Sequence, residues 1–247
     1  MNTYFYELFE NMPRQGPGLN SSTRKAYQMI SKYLPSHPEI LDIGCGKGVQ
    51  TLELARMTDG KITALDNHSF FLKCLEENVK KSGLSGRIHP VEADMSNMPF
   101  EHSVFDLIWA EGAVFIIGIK EGLKSWKKLL KKNGFLVLSD LVWLTESRPD
   151  DLTKYLEEEC LYVLTINEVL AEAATNGYSC ISHFTLPNEG WTKEYFLPQK
   201  RIVTGLREKY NDSEEAQQTY KAIEFEQEMI GRNLRYVGYE FFIFRND

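Results

Sequence analysis

Apolar positions along the chain recur with two periods, and the two alternate. Ile40 to Ile43, Ile62 to Leu65, Ile88 to Ala93, Phe105 to Ala110 and Phe135 to Ser139 are short runs of branched and aromatic residues, which predict buried strands. Between them, helical spacing relates Ala26, Met29, Ile30, Tyr33 and Leu34. The same spacing relates Leu52, Ala55 and Met57, then Leu72, Leu75 and Val79, and finally Leu123, Trp126, Leu129 and Leu130. Strands that alternate with helices predict an α/β fold, a parallel sheet covered by helices on both faces. Ile181 to Leu186 and Val237 to Phe244 predict the last two strands. Residues 187–235 between them far exceed a hairpin connection and are rich in helix formers and aromatics, which predicts a helical insertion covering a substrate.

Turn and cap residues punctuate this pattern. Ser21, Ser22 or Thr23 can cap the first of these helices, which Pro35 stops. Ser69 can cap the helix closed by Gly83, and Thr165 with Glu168 makes a capping box for one ending at Gly177. Pro90 lacks the donor that a central strand needs, so the third strand should lie at a sheet edge. Residues 1–18 carry Tyr4, Phe5, Tyr6, Leu8 and Phe9, followed by Pro13 and Gly16-Pro17-Gly18. They predict a hinged, mobile lid that stands outside the folding core. The whole chain, residues 1–247, is expected to be one domain.

Composition narrows the function. A net charge of −7 disfavours nucleic acid, whose phosphates are held by displacing counterions with lysine and arginine. The one basic run, Lys120 to Lys132, reads as the solvated face of an amphipathic helix. Cys45, Cys74, Cys160 and Cys180 form no CxxC, and no histidine pair has metal-ligand spacing, so no metal is expected. Neither a signal peptide nor a membrane span is expected, which suggests a cytoplasmic protein whose partner is a small molecule. Its oligomeric state is left open, with a homodimer allowed.

Candidate chemistry centres on ILDIGCGKG, Ile40 to Gly48, where a strand runs into Gly44, Gly46 and Gly48. The spacing is GxGxG; position 49 is Val49, which argues against the GxGxxG of NAD-binding proteins. With Asp42 before the glycines and Asp66 after the second strand, the stretch resembles a class I S-adenosylmethionine-dependent methyltransferase. Further on, VEADMSNMPFEHSVFDLIWAEGAVFIIG resembles the UbiE-like methyltransferases, and GPG, WAEGAVFIIG and WTKEYF resemble a bacterial and archaeal small-molecule branch of them. The resemblance implies a Rossmann-like three-layer sandwich, its seven-stranded, mostly parallel sheet ordered 3-2-1-4-5-7-6 with the last strand antiparallel. It also implies S-adenosylmethionine as methyl donor and S-adenosylhomocysteine as product.

By that resemblance Gly44 and Gly46 cradle the methionine part, and Asp42 and Cys45 belong with them to the cofactor-binding loop. Asp66 and Asn67 take the ribose, Asp94 and Met95 the adenine, and Glu111 faces cofactor and acceptor. On the residues alone, Asp66 and Asp94 are equally strand-end turn residues, and Met95 can fill an apolar gap. If the acceptor must lose a proton, Glu111 and His68 are the candidate bases. Glu111 can instead bond loop amides or the cofactor's ammonium, and His68 can cap a helix. Cys45 reads as a small residue fitting the loop. Two other functions share this fold: a non-catalytic sensor of the cofactor, and a nucleic-acid methyltransferase. The second is disfavoured because WAEGA stands where [DNS]PP[YFW] would be.

Overall fold

The computed structural model describes residues 2–159 and 161–247, so Cys160 lies outside the described residues. The sheet contains β1 (Glu39–Ile43), β2 (Lys61–Asp66), β3 (Ile88–Glu92), β4 (Phe105–Glu111), β5 (Leu130–Trp143), β7 (Tyr178–Thr185) and β8 (Val237–Asn246). They lie in the order β3-β2-β1-β4-β5-β8-β7, while the two-residue β6 (Leu164–Thr165) pairs with β5 to one side. The first five are parallel, and β8 is antiparallel to both its neighbours. This is the Rossmann-like order expected, with β6 added. Pro90 sits on the edge strand β3, opposite Ala64.

Strands read as continuous apolar runs because both faces of the sheet are covered. On β4, Leu107 and Trp109 enter one core, while Phe105, Ile108 and Ala110 enter the other. The first core is built with α2 (Asn20–Ile30), α3 (Val49–Met57) and α4 (Ser69–Lys81), the second with α5 (Ile119–Lys127) and α7 (Ile166–Thr175). Thr165 and Glu168 form the expected capping box on α7. Beyond β7, α8 (Glu189–Trp191), a π-helical turn (Thr192–Phe196), α9 (Leu197–Lys209) and α10 (Glu214–Arg232) form the insertion. No helix among the described residues is long and apolar enough to cross a membrane.

Three expectations need correction. Strand β5 is far longer than Phe135 to Ser139, because Leu130 pairs with Phe105 ahead of a bulge and the strand continues to Trp143 opposite Val237. Helix α5 therefore ends at Lys127. Helix α2 begins at Asn20 after Leu19, with no side-chain cap; Ser22 and Thr23 are buried inside it. Residues 1–18 are not a detached lid. They hold α1 (Thr3–Asn11), whose Leu8 is 0% exposed against Val203, Leu206 and Tyr220 of the insertion, and Met12, also 0% exposed, joins the main core.

Candidate functional site

The glycine loop sits where strand order reverses between β1 and β4, at the carboxyl ends of the strands. The amides of Gly44 and Cys45 donate to Leu65 O at 2.8 and 2.9 Å, which ties the loop to β2. Gly44 has φ +69°, and a Cβ there would stand 2.5 Å from Ala113 Cβ, so only glycine fits without displacement. A Cβ on Gly46 would meet Gln15 Oε1 at 2.6 Å.

Asp42 lies wholly beneath this loop. Thr51 Oγ1, in the first turn of α3, donates to Asp42 Oδ2 at 2.5 Å, whereas Oδ1 is buried without a partner. Burial, with Glu111 and Asp66 nearby, pushes its carboxyl up to about 7 despite the Thr51 hydrogen bond. Asp42 therefore supports the loop from below, joined to α3 through Thr51. The native state holds this proton up to about pH 7, while the unfolded chain releases it near 3.8. Its contribution to stability thus falls as pH rises through that window and stays low above it. We expect wild type to lose stability relative to Asp42→Asn by about 1.4 kcal/mol per pH unit there. Urea melts of the two proteins at several pH values check this, and a constant difference would refute it.

Asp66, ending β2, clamps the loop from the other side: its Oδ2 accepts from Gly46 N at 2.8 Å and its Oδ1 from His68 N at 2.9 Å. Each oxygen keeps a further lone pair for an incoming hydroxyl. Asn67 is exposed beside it. Past β3, Asp94 is exposed and accepts from the backbone and hydroxyl of Ser96 at 2.8 and 2.7 Å. Met95 is buried, with its Cε 3.7 Å from the Cβ position of Gly44, so Met95 floors the same pocket. Cys45 is buried, and burial with Asp42 and Asp66 pushes its thiol well up, which suits a packing residue and not a nucleophile.

The two candidate bases are held by other groups. Glu111 Oε1 accepts from Thr23 Oγ1 at 2.7 Å and Trp109 Nε1 at 2.9 Å, and Oε2 pairs with Arg14 at 3.2 Å. His68 Nε2 lies 2.8 Å from Glu10 Oε1, and its ring stacks on Tyr6 at 4.8 Å. Both contacts lead into residues 1–18, which the sequence marked as a lid without showing these contacts. Lys47 Nζ donates to Glu10 O and Met12 O at the end of α1, and Lys47 N donates to Gln15 Oε1 at 3.0 Å. Arg14, Gln15 and Thr23 are the residues that sequence reasoning missed. The adjoining Gly16-Pro17-Gly18 was the only signal near them.

The arrangement fits S-adenosylmethionine. Its sulfonium and ammonium exceed its one carboxylate in charge, and here Asp42, Asp66 and Glu111 converge around a backbone cradle, with Asp42 Oδ1 unpartnered. A separate cavity of about 620 Å³, lined by residues including Tyr27, Pro35, Met57 and Arg87, opens at the amino ends of β1–β3, away from these groups.

Residues 40–134 match the family described as "Methyltransferase domain". The whole fold is shared with a solved S-adenosylmethionine-dependent methyltransferase from Thiobacillus denitrificans in complex with S-adenosylhomocysteine. That likeness has a TM-score of 0.84 and 17% identity, covering 100% of this chain and 99% of that one. A ribosomal protein L11 methyltransferase of Thermosipho melanesiensis is 28% identical over 127 residues, 51% of this chain and 47% of that protein. A sterol 24-C-methyltransferase of Neurospora crassa is 26% identical over 170 residues, 65% of this chain and 44% of that protein. The chain thus spans less than half the length of these two relatives. The fold is thus that of S-adenosylmethionine-dependent methyltransferases of known structure, and residues 40–134 match a methyltransferase domain.

Proposed function

We propose that this chain methylates a small-molecule acceptor. The observation that carries the reading is the cover of the site: α1 packs through Leu8 on Val203, Leu206 and Tyr220 of the insertion, and Arg14 just after it pairs with Glu111 at the carboxyl end of β4. A site covered in this way suits a metabolite. The net charge of −7 argues against nucleic acid, and the sterol methyltransferase similarity supports a small acceptor. The L11 methyltransferase similarity points the other way, to a protein acceptor, and is the reading to test against.

When bound, S-adenosylmethionine supplies an electrophilic methyl on a sulfonium. In-line displacement needs the nucleophile held at near-attack distance, and the chain contributes this by position. The Gly44–Gly46 backbone fixes one end of the pocket, Asp66 holds the loop and offers lone pairs, and Glu111 ties Arg14 and Thr23 into the wall. Closure by α1 excludes water. With three donors on Glu111 and Glu10 on His68, we assign both to organising the N-terminal wall in place of proton abstraction.

Calorimetry should show binding of S-adenosylmethionine and S-adenosylhomocysteine but not NAD. In cell extract, label from methyl-labelled cofactor should enter the low-molecular-weight fraction. Label confined to protein would favour the protein-acceptor reading. Cofactor binding without any transfer would favour a sensor.

A further inference from the structure

The sheet opens at its carboxyl ends along one edge of β5, between the end of β4 and the start of β6. Strand β4 pairs with β5 as far as Glu111 opposite Ser139, and Gly112 N then donates to Ser139 O at 3.1 Å. There the chain turns away from β5. Gly112 has φ +58°, and Ala113 Cβ stands 2.5 Å from the Cβ position of Gly44, against the glycine loop. Strand β8 holds the other edge of β5 from Phe135 to Trp143, so β6 takes up the β4 edge, and it does so only at Val142, opposite Leu164. Among the described residues, Asp140 and Leu141 have no strand beside them on this edge.

A carboxylate lies in that opening. Residues of an antiparallel strand send their N–H groups to alternate edges. Leu144 N bonds Tyr236 O on the β8 edge, so Leu141 N, three residues earlier, points to the other edge and into the opening. Asp140 Oδ1 accepts that N–H at 2.9 Å. Asp140 Oδ2 has no hydrogen bond or ion pair among the described residues, and the residue is partly exposed.

The titratable groups around Asp140 are engaged elsewhere. Glu240, directly opposite on β8, has its oxygens taken by His183 Nδ1 at 2.6 Å and Thr185 Oγ1 at 2.7 Å. Tyr239 beside it packs on Gly112, and Glu111 at the end of β4 is bound by Arg14, Thr23 and Trp109. The turn Val114–Ile116 and β6 carry no titratable side chain, and α5 faces this side of the sheet with Ile119, Leu123 and Trp126. Burial among these strands pushes the Asp140 carboxyl up to about 7, against the one N–H that it accepts.

We propose that Asp140 is the general base of the methyl transfer, and that the acceptor carries a proton on the atom that is methylated: a hydroxyl, an amine N–H or an acidic C–H. This rests on the methyltransferase reading and specifies its acceptor class. An electron pair of the acceptor atom forms the bond to the methyl carbon as the sulfur–methyl bond breaks and its pair returns to sulfur, leaving S-adenosylhomocysteine. The acceptor's proton goes to Asp140 Oδ2 and from there to solvent. A base serves best when its proton affinity lies near the working pH. A thioether or a tertiary amine has no proton to give and gains nothing from this group.

The test follows label from methyl-labelled S-adenosylmethionine into the low-molecular-weight fraction of cell extract, with the full chain, across roughly pH 5.5–8.5. The carboxylate acts only without its proton, so the wild-type rate should rise with pH and level off above about 7. Asp140→Asn should cut the plateau rate on the order of a hundredfold or more and remove the rise, while S-adenosylhomocysteine affinity by calorimetry stays unchanged. An undiminished rate in Asp140→Asn, or the same rise in both proteins, overturns the proposal and leaves the methyltransferase reading standing. If the variant does not fold, the wild-type profile decides, and a rate flat across the range overturns the proposal. No labelled small molecule with wild type would overturn the small-acceptor reading, and the proposal with it.

Discussion

Glu111→Ala is expected to lower stability by about 3–5 kcal/mol, because it strands a buried cation and two further donors. Arg14 and Glu111 have side chains only 11% and 3% exposed, so water cannot replace the lost carboxylate. Trp109 Nε1, in a side chain that is 0% exposed, loses its acceptor as well, and so does Thr23 Oγ1. For a chain of 247 residues this corresponds to a melting point lower by roughly 10 °C. The N-terminal segment should loosen first, since Arg14 joins it to β4, so limited proteolysis should cut near Pro13 in the variant and not in wild type. Glu111→Gln keeps shape and one acceptor and should fall between the two. An unchanged melt in Glu111→Ala would show that the carboxylate is not the anchor described here, and would return it to consideration as a base.

The sheet was legible in the sequence because its strands are buried on both faces. Ile40 to Ile43 and Phe105 to Ala110 read as core strands, and the glycines after the first mark a tight turn that Asp42 and Asp66 tie to a ligand. Positions within the site were less legible, and the reason is physical. Thr23 reads by local rules as a helix cap, yet it caps nothing and its hydroxyl reaches Glu111, 88 residues away, while Arg14 meets the same carboxylate across 97. Local propensity carries no information about such pairs. The aromatic content of residues 1–18 did signal a covering role, but the Pro and Gly residues that suggested a hinge instead steer α1 into contact with Lys47 and the insertion.

Asp66→Ala should cost cofactor affinity about tenfold to a hundredfold. The carboxylate has two tasks, and the substitution removes both. It offers lone pairs for charge-assisted contacts to the ribose hydroxyls, worth roughly 1.5–3 kcal/mol. It also accepts from Gly46 N and His68 N, so that its loss frees the loop that holds the other end of the cofactor. Asp66→Asn separates the tasks, because its carbonyl can still accept one amide while its NH2 faces the other N–H and cannot. The asparagine variant should therefore sit close to alanine in cofactor affinity and nearer to wild type in thermal stability. Titration of S-adenosylhomocysteine into each protein by calorimetry reads the first quantity, and thermal melts without ligand read the second. Equal affinity in wild type and Asp66→Ala would remove the ribose assignment. A variant that melts like wild type yet binds weakly would keep the ribose contact and dismiss the clamp.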